Sequence, residues 1–335
     1  MNRAQKSIAV VMVCLLALGA ATAMAAEGKK QKYSTLREVT IGVGYIPNVQ
    51  FAPLYVAQHR GYYAEEGLKV KIEYGFENDY VVLAALGKKE FAAASGDQVI
   101  MARSQGVPIT YIMKWFQRYP VGVMIPASKG VTKPEELKGL KIGLPGFFGS
   151  SYVGWKALVY AAGIDEKALT VQEIGFTQAA AVQHGIVDAA VVYVTNEPVQ
   201  MRSRGQEMTV IEVSDYIDLV SNGLVVGEKL MAKDPELVRR LVKASLRGLK
   251  HTIENPADAF AVVRKVIPEI TDRDAPVQRK VLDASIELWR TDAPGISDRK
   301  SWQISLDFML ATGLIKSAEK VKLDSLYTNR FVDAP

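Results

Sequence analysis

The sequence predicts an α/β protein of two lobes, each a mainly parallel sheet flanked by helices, with a ligand cleft between the lobes. Three observations lead there. Strand-like and helix-like segments alternate in two successive series, which implies parallel sheets covered by helices on both faces. Polar and aromatic side chains gather just after the carboxyl ends of the strand-like segments, where open α/β sheets bind ligands. The 335 residues also suffice for two domains, at roughly 100 to 200 residues each.

At the N-terminus, Arg3 and Lys6 lead into an apolar run from Ile8 to Ala21, and Ala23-Met24-Ala25 supplies the small residues that a signal peptidase reads. Residues 1–25 are therefore expected to be a cleaved secretory signal peptide; the apolar run falls short of the roughly 20 residues that span a bilayer. Cys14 lies inside that run, followed by Leu15 and Leu16, so it is not placed to accept a lipid at a cleavage junction. Once the signal is removed no cysteine remains, which excludes disulfides, thiolate metal sites and cysteine nucleophiles. Without Arg3 and Lys6, the chain has 39 basic against 36 acidic residues. No basic stripe with interleaved aromatics exists, so nucleic-acid binding has no support.

The first series opens with the strand-like "VTIGVGY" from Val39. "FAPLYVAQHRGYYAEEG" follows as a helix, with Leu54, Tyr55, Ala57 and Gln58 at helical spacing and an end near Gly61 or Gly67. "KVKIEYGF" alternates as a half-buried strand does, and "DYVVLAALGKKEFAAASG", "DQVIMARSQGV" and "PITYIMKWF" continue the alternation. A second series begins after Ala127 with a short capped helix, the strand "KIGLP", a glycine turn and a helix, and ends near Asn222. "YPVGVMIPA" and "SNGLVVGEKL" read as extended crossings between lobes. From Asp234 onward the chain is helical, with Leu237, Leu241, Ala244, Leu246, Leu249 and Ile253 on one stripe. These helices are expected to pack back on the first lobe. The resulting limits are 38–124 with 225–335 for lobe 1, and 125–224 for lobe 2.

Catalytic signatures are missing. His59, His184 and His251 have no carboxylate or second histidine at ligand spacing on a helix face, and there is no HExxH, phosphate-binding lysine loop or nucleophile elbow. "GVGYIP" starts like a dinucleotide fingerprint but carries Pro47 where the third glycine belongs. Neither a cofactor nor a metal is expected.

Five clusters at strand ends remain as ligand candidates. They are Tyr45 to Phe51, with Tyr45, Asn48, Gln50 and Phe51; Phe76 to Asp79, with Asn78; Ser95, Asp97 and Gln98; Trp115, Phe116 and Tyr119; and Phe148, Ser150, Ser151 and Tyr152 joined by Tyr193, Asn196 and Glu197. Asn222, on the return crossing, completes the set. Helix capping suits Ser95 and Asp97 equally, and Trp115, Phe116 and Tyr119 suit an ordinary core. In "GFFGSS", Ser150 and Ser151 open a helix after a glycine turn, where a plain cap and an anion-accepting nest are both open.

The order of "GYIPNVQFAPLYVAQHRGYYAEEGLKV", "AASGDQVIMARSQGVPI", "KPEELKGLKIGLPGFFGSSY" and "VDAAVVYVTNEP" resembles the NMT1/THI5-like periplasmic solute-binding proteins from about Val39 to Leu249. By "WFQRYPV" and "NEPVQ" it is most similar to riboflavin-binding members, with binders of thiamine-pyrimidine precursors next. The resemblance implies a type II periplasmic-binding-protein fold, a periplasmic location, and a monomer that closes on a small ligand and delivers it to an ABC permease. A separate ATPase would power transport. It also implies that Glu197, in "TNEP", meets an amino group where the ligand is an aminopyrimidine. A flat ring fits the residue types, with faces from Tyr45, Trp115, Phe116 and Tyr193. Edges would come from Asn48, Gln50, Asn78, Asp97, Gln98, Asn196 and Glu197. Binding of a sulfonate, taurine or nitrate is the alternative, and a pyrimidine-synthesis enzyme of the THI5 type a more remote one. Such enzymes carry a cysteine-rich motif that this chain lacks.

Overall fold

The computed structural model describes Tyr33 and residues 35–332, so the expected signal peptide and Cys14 lie outside the described residues. The chain first forms β1 (Arg37–Gly44), β2 (Leu68–Gly75), β3 (Phe91–Ser95) and β4 (Ile109–Lys114). It then crosses over to form β5 (Val121–Pro126), β6 (Lys141–Leu144), β7 (Thr170–Glu173), β8 (Ala189–Tyr193) and β9 (Met208–Glu212), and returns as β10 (Asn222–Gly227). The two sheets have the orders β2-β1-β3-β10-β4 and β7-β6-β8-β5-β9.

Each sheet is parallel except for one strand. β10 runs against β3 and β4, and β5 runs against β8 and β9. Both odd strands come from the segments that read as simple crossings, and composition explains why they pair. "VGVMIP" and "NGLVVG" are apolar, β-branched runs that stay buried along nearly their whole length, as central strands require. The sequence-derived limits at 124/125 and 224/225 therefore fall inside strands: β5 belongs wholly to the second sheet and β10 wholly to the first.

The helix after β1 ends just before the first of the two expected glycines. Gly61 (φ 76°) and Gly67 (φ 73°) adopt left-handed backbone, which only glycine enters without strain. The segment breaks into Ala52–His59 and the short Tyr62–Glu65. Among the described residues no helix is long and apolar enough to cross a membrane.

The helical tail covers the first sheet and more. Helix Pro235–Glu254 lays its Leu237, Leu241, Ala244 and Leu249 stripe against Ala52–His59, whereas Ala275–Trp289 also meets Glu197–Ser203 of the second lobe. The first of these contacts is close because Gly248 has no side chain. A Cβ there would lie 2.2 Å from the Pro53 carbonyl oxygen and 2.7 Å from the Ala57 Cβ. Gly248→Ala should lower stability by about 1 to 3 kcal/mol through overpacking, outweighing its gain in helix propensity. A thermal melt equal to or above that of the parent protein would show the contact to be loose.

His251 meets a carboxylate from outside its own helix. Its Nε2 lies 2.8 Å from Asp258 and its Nδ1 lies 2.8 Å from the Tyr62 hydroxyl. The carboxylate comes from the next helix rather than from the same helix face, so ligand spacing within one helix could not find it. No group of three metal-ligating side chains occurs among the described residues.

Candidate functional site

A cavity of about 320 Å³ opens between the two sheets, at the ends of their strands. It falls at the small end of the roughly 300 to 1,000 Å³ usual for small-molecule sites. The first lobe contributes Tyr45, Gln50, Phe51, Phe76, Glu77 and Asn78 to its wall; the connecting segments contribute Trp115, Phe116 and Asn222. Phe148, Ser150, Ser151, Glu173, Phe176, Gln178, Tyr193, Asn196 and Glu197 come from the second lobe.

The two crossing segments are pinned to one another at the back of the cleft. The backbone N–H groups of Trp115 and Phe116 both donate to the Asn222 carbonyl at 3.0 Å. Trp115 is buried against Phe51, Phe116 and Trp289, at centroid distances of 6.3, 6.0 and 6.0 Å. Its indole N–H has no hydrogen-bond partner. Phe51 and Phe116 belong to the same wall, while Trp289 is not part of it and packs on both Trp115 and Phe116, which fixes the orientation of these rings before any ligand arrives.

Tyr45 is the one residue other than glycine with a left-handed backbone among the described residues, at φ 89°. Such a conformation costs on the order of 1 kcal/mol or more and persists where the surroundings over-determine it. Here the Tyr45 N–H donates to the Gly75 carbonyl at 2.8 Å, and its ring packs edge-on against Phe176 of the opposite lobe at 5.0 Å. Burial, then the nearby Glu197 carboxylate, pushes the phenol up to about 12. The tyrosine therefore remains a neutral hydrogen-bonding group at physiological pH.

Further contacts join the lobes directly. Gln50 Nε2 donates to the Thr195 hydroxyl at 2.6 Å, and Ser150 Oγ donates to Glu77 Oε2 at 2.9 Å. Phe76 and Phe148, each 48% exposed, meet edge to face at 5.6 Å across the rim. These pairings bridge the two lobes across the cleft.

Two acids in the wall are strongly perturbed. Burial, with Asp97 beside it, raises the Glu77 carboxyl to about 7 against the opposing hydrogen bonds from Ser95 and Ser150. Burial alone lifts Glu197 to about 7 against its backbone and Asn196 hydrogen bonds. Asn196 Nδ2 donates to Glu197 Oε1 at 3.0 Å, while Oε2 is buried with no partner. An unpaired buried acceptor is costly and marks a place where a donor from outside would be welcome. Among the described residues no lysine, arginine or histidine lines the cavity.

Most of the sequence candidates meet here, but Asn48, Ser95, Asp97, Gln98, Tyr119 and Tyr152 do not line the wall. Asn48 caps the turn that carries Gln50, its Oδ1 accepting from the Gln50 N–H at 2.9 Å. The Tyr119 hydroxyl, with one proton to share, lies 2.9 Å from both Asp97 Oδ1 and the Ser150 carbonyl, and Gln98 Nε2 donates to Asp97 Oδ2 at 2.7 Å. These residues form the layer behind the wall. Tyr152 packs edge-on against Phe147 at 6.0 Å. Neither Ser95 nor Ser150 acts as a plain cap, because both hydroxyls reach Glu77 instead. Sequence reasoning had no signal for Glu173 at the end of β7, Phe176 in the turn after it, or Gln178 at the start of the following helix Gln178–Gln183, since this stretch carries no local motif. Glu77 stood within a candidate cluster without being singled out, since nothing local reveals its inward orientation.

Comparison with known proteins agrees with this architecture. The model of the family described as NMT1/THI5 like matches residues 48–259. The riboflavin-binding protein RibY of Chloroflexus aurantiacus is 42% identical, covering 89% of this chain and 87% of that protein. A 4-amino-5-hydroxymethyl-2-methylpyrimidine phosphate synthase of Legionella pneumophila is 23% identical over 89% of this chain and 93% of its own length. The formylaminopyrimidine-binding protein of Halalkalibacterium halodurans is 28% identical over 80% of this chain and 83% of its own. Among solved structures, the alkanesulfonate-binding protein SsuA of Xanthomonas axonopodis pv. citri superposes with a TM-score of 0.69 at 14% identity, over 89% of this chain and all of that one. That likeness establishes the two-lobed periplasmic-binding-protein fold. The chain belongs to the NMT1/THI5-like family and stands with its solute-binding proteins rather than with its synthases.

Proposed function

We propose that this protein captures a flat, uncharged heteroaromatic solute, a riboflavin-like flavin first, as the periplasmic receptor of an ABC importer. The observation that carries the reading is the composition of the cavity wall: rings for the faces, amides and carboxylic acids for the edges, and no lysine, arginine or histidine. Stacked ring pairs contribute about 0.5 to 1.5 kcal/mol beyond their buried area. Gln50, Asn78, Asn196 and Asn222 supply donors and acceptors at the periphery. A sulfonate or nitrate would enter this wall with no cation to meet it, which disfavours the small-anion alternative. The similarity to RibY points the same way.

An aminopyrimidine is the second reading, favoured by one feature. The unpartnered Glu197 Oε2 is placed to accept from an exocyclic amino group, and a carboxyl near neutrality can act as either donor or acceptor. Delivery to a permease driven by a separate ATPase, export by the signal peptide, and a monomeric state complete the proposal.

The ligand class is tested by thermal shift on protein unfolded and refolded to strip bound solute. Riboflavin or an aminopyrimidine should raise the melting temperature, while taurine and nitrate should not. Stabilisation by taurine or nitrate alone would replace this proposal with the anion reading.

Closure has its own measurement. The inter-lobe contacts Gln50–Thr195, Glu77–Ser150 and Phe76–Phe148 break when the lobes separate, and a ligand gripped by both lobes favours the closed state. X-ray scattering of stripped protein should show a smaller radius of gyration at saturating ligand. An unchanged radius would mean that binding needs no hinge motion.

A further inference from the structure

Glu77 occupies a position supplied with hydrogen-bond donors from both lobes. Its Oε1 accepts from the backbone N–H and, at 2.9 Å, the hydroxyl of Ser95, and its Oε2 accepts from the Ser150 hydroxyl at 2.9 Å. Ser95 immediately precedes helix Gly96–Ser104 of the first lobe, and Ser150 stands in the first turn of helix Gly149–Ala161 of the second. The carboxylate thus lies at the N-terminal ends of two helices, one from each lobe. Helix N-termini attract negative charge through their unpaired N–H groups and aligned dipoles. In this protein the negative charge is internal.

The surroundings leave no provision for a second one. Asp97 lies directly behind, held by Tyr119 and Gln98. Glu173 and Glu197 line the same cavity, which no basic side chain lines. We propose that Glu77 determines the charge class of the ligand: its carboxylate fills the anion-accepting position between the lobes, so the closed cleft takes an uncharged heterocycle and rejects anions, including the phosphate monoester of that same heterocycle. This deepens the heteroaromatic reading above and rests on it for the identity of the ring. A phosphate monoester brings roughly 1.5 to 2 negative charges, with no counter-charge to offset its lost hydration.

The experiment uses ligand-stripped protein at pH 8, above the value of about 7 to which burial and Asp97 raise the Glu77 carboxyl. Wild type, Glu77→Asp and Glu77→Gln are each titrated with riboflavin and with riboflavin 5′-phosphate. Wild type and Glu77→Asp should prefer the unphosphorylated flavin by about 100-fold or more, given the strength of like-charge repulsion at short range. Glu77→Gln keeps the shape and one acceptor but removes the charge, and its preference should fall at least tenfold whatever its absolute affinity. A preference ratio equal in wild type and Glu77→Gln would overturn the proposal.

A second arm needs no flavin. In Glu77→Ala the position is vacated, and nitrate should raise the melting temperature saturably, with no such effect in wild type. Equal nitrate responses in the two proteins would also overturn the role of Glu77. If wild type binds neither flavin, the ligand reading fails, while the nitrate arm still decides whether Glu77 fills an anion position. Should Glu77→Ala not fold, the nitrate arm is run on Glu77→Ser, which also vacates the position.

Discussion

Replacing Trp115 by alanine should abolish most ligand affinity, whereas replacing Trp302 by alanine should cost stability alone. Both indoles are buried, so the two variants suffer comparable losses of packing, on the order of 3 to 5 kcal/mol. Their surroundings differ. Trp302 stacks on Tyr327 at 5.4 Å and meets Tyr111 at 5.3 Å, away from the cavity. Trp115 lines the cavity and packs against Phe116 and Trp289. An aromatic anchor in a desolvated pocket is worth about 2 kcal/mol or more on truncation, roughly thirtyfold in affinity. Titration at a temperature where both variants remain folded separates the effects. Equal losses of affinity would remove Trp115 from the site.

The Glu197→Gln variant should be more stable than its parent at pH 8 and bind more weakly. Burial raises the Glu197 carboxyl from its ordinary 4.5 to about 7, so between these values the folded chain retains a proton that the unfolded chain has released. Stability conferred by this residue therefore falls as pH rises through that window and is level above it. The loss is about 3 kcal/mol for a shift of this size. Glu77 acts in the same direction, for the same reason. In Glu197→Gln the pH dependence across pH 4.5 to 7 should flatten by that amount, while ligand affinity drops at least tenfold, since the variant cannot supply the free carboxyl oxygen. Denaturant melts of the ligand-free variant at pH 5 and pH 8 provide the check. A parallel pH profile in parent and variant would mean that Glu197 is ionised freely and solvated.

How much of this was legible in the sequence depends on whether the signal was local. The alternation of strands and helices gave the two α/β lobes because parallel strands buried on both faces need continuous apolar runs and helical crossovers. Phe91–Ser95 and Ala189–Tyr193 are such runs. The direction of β5 and β10 was not legible, because an apolar run looks the same whichever way its neighbours point. Tyr45, Gln50 and Phe51 were readable as a cleft loop, since prolines, rings and amides at a strand end have little structural use. Glu77 and Phe176 were not. Their positions depend on the other lobe, and no pattern within either segment encodes the Ser150 hydroxyl or the Tyr45 ring that each one meets. Tyr119 and Asp97 were drawn into the candidate set by residue type, but they hold each other and the Ser150 carbonyl in a layer behind the wall.

The central claim is that the cleft closes on a flat, uncharged heterocycle, and titration of riboflavin fluorescence tests it most directly. Added to ligand-stripped protein, riboflavin should lose its fluorescence saturably at one equivalent, because Trp115, Phe51 and Tyr45 line the space the ring would occupy, and the quenching should be lost in Trp115→Ala. Unquenched riboflavin at high protein concentration, together with saturable stabilisation by nitrate or taurine, would contradict the account.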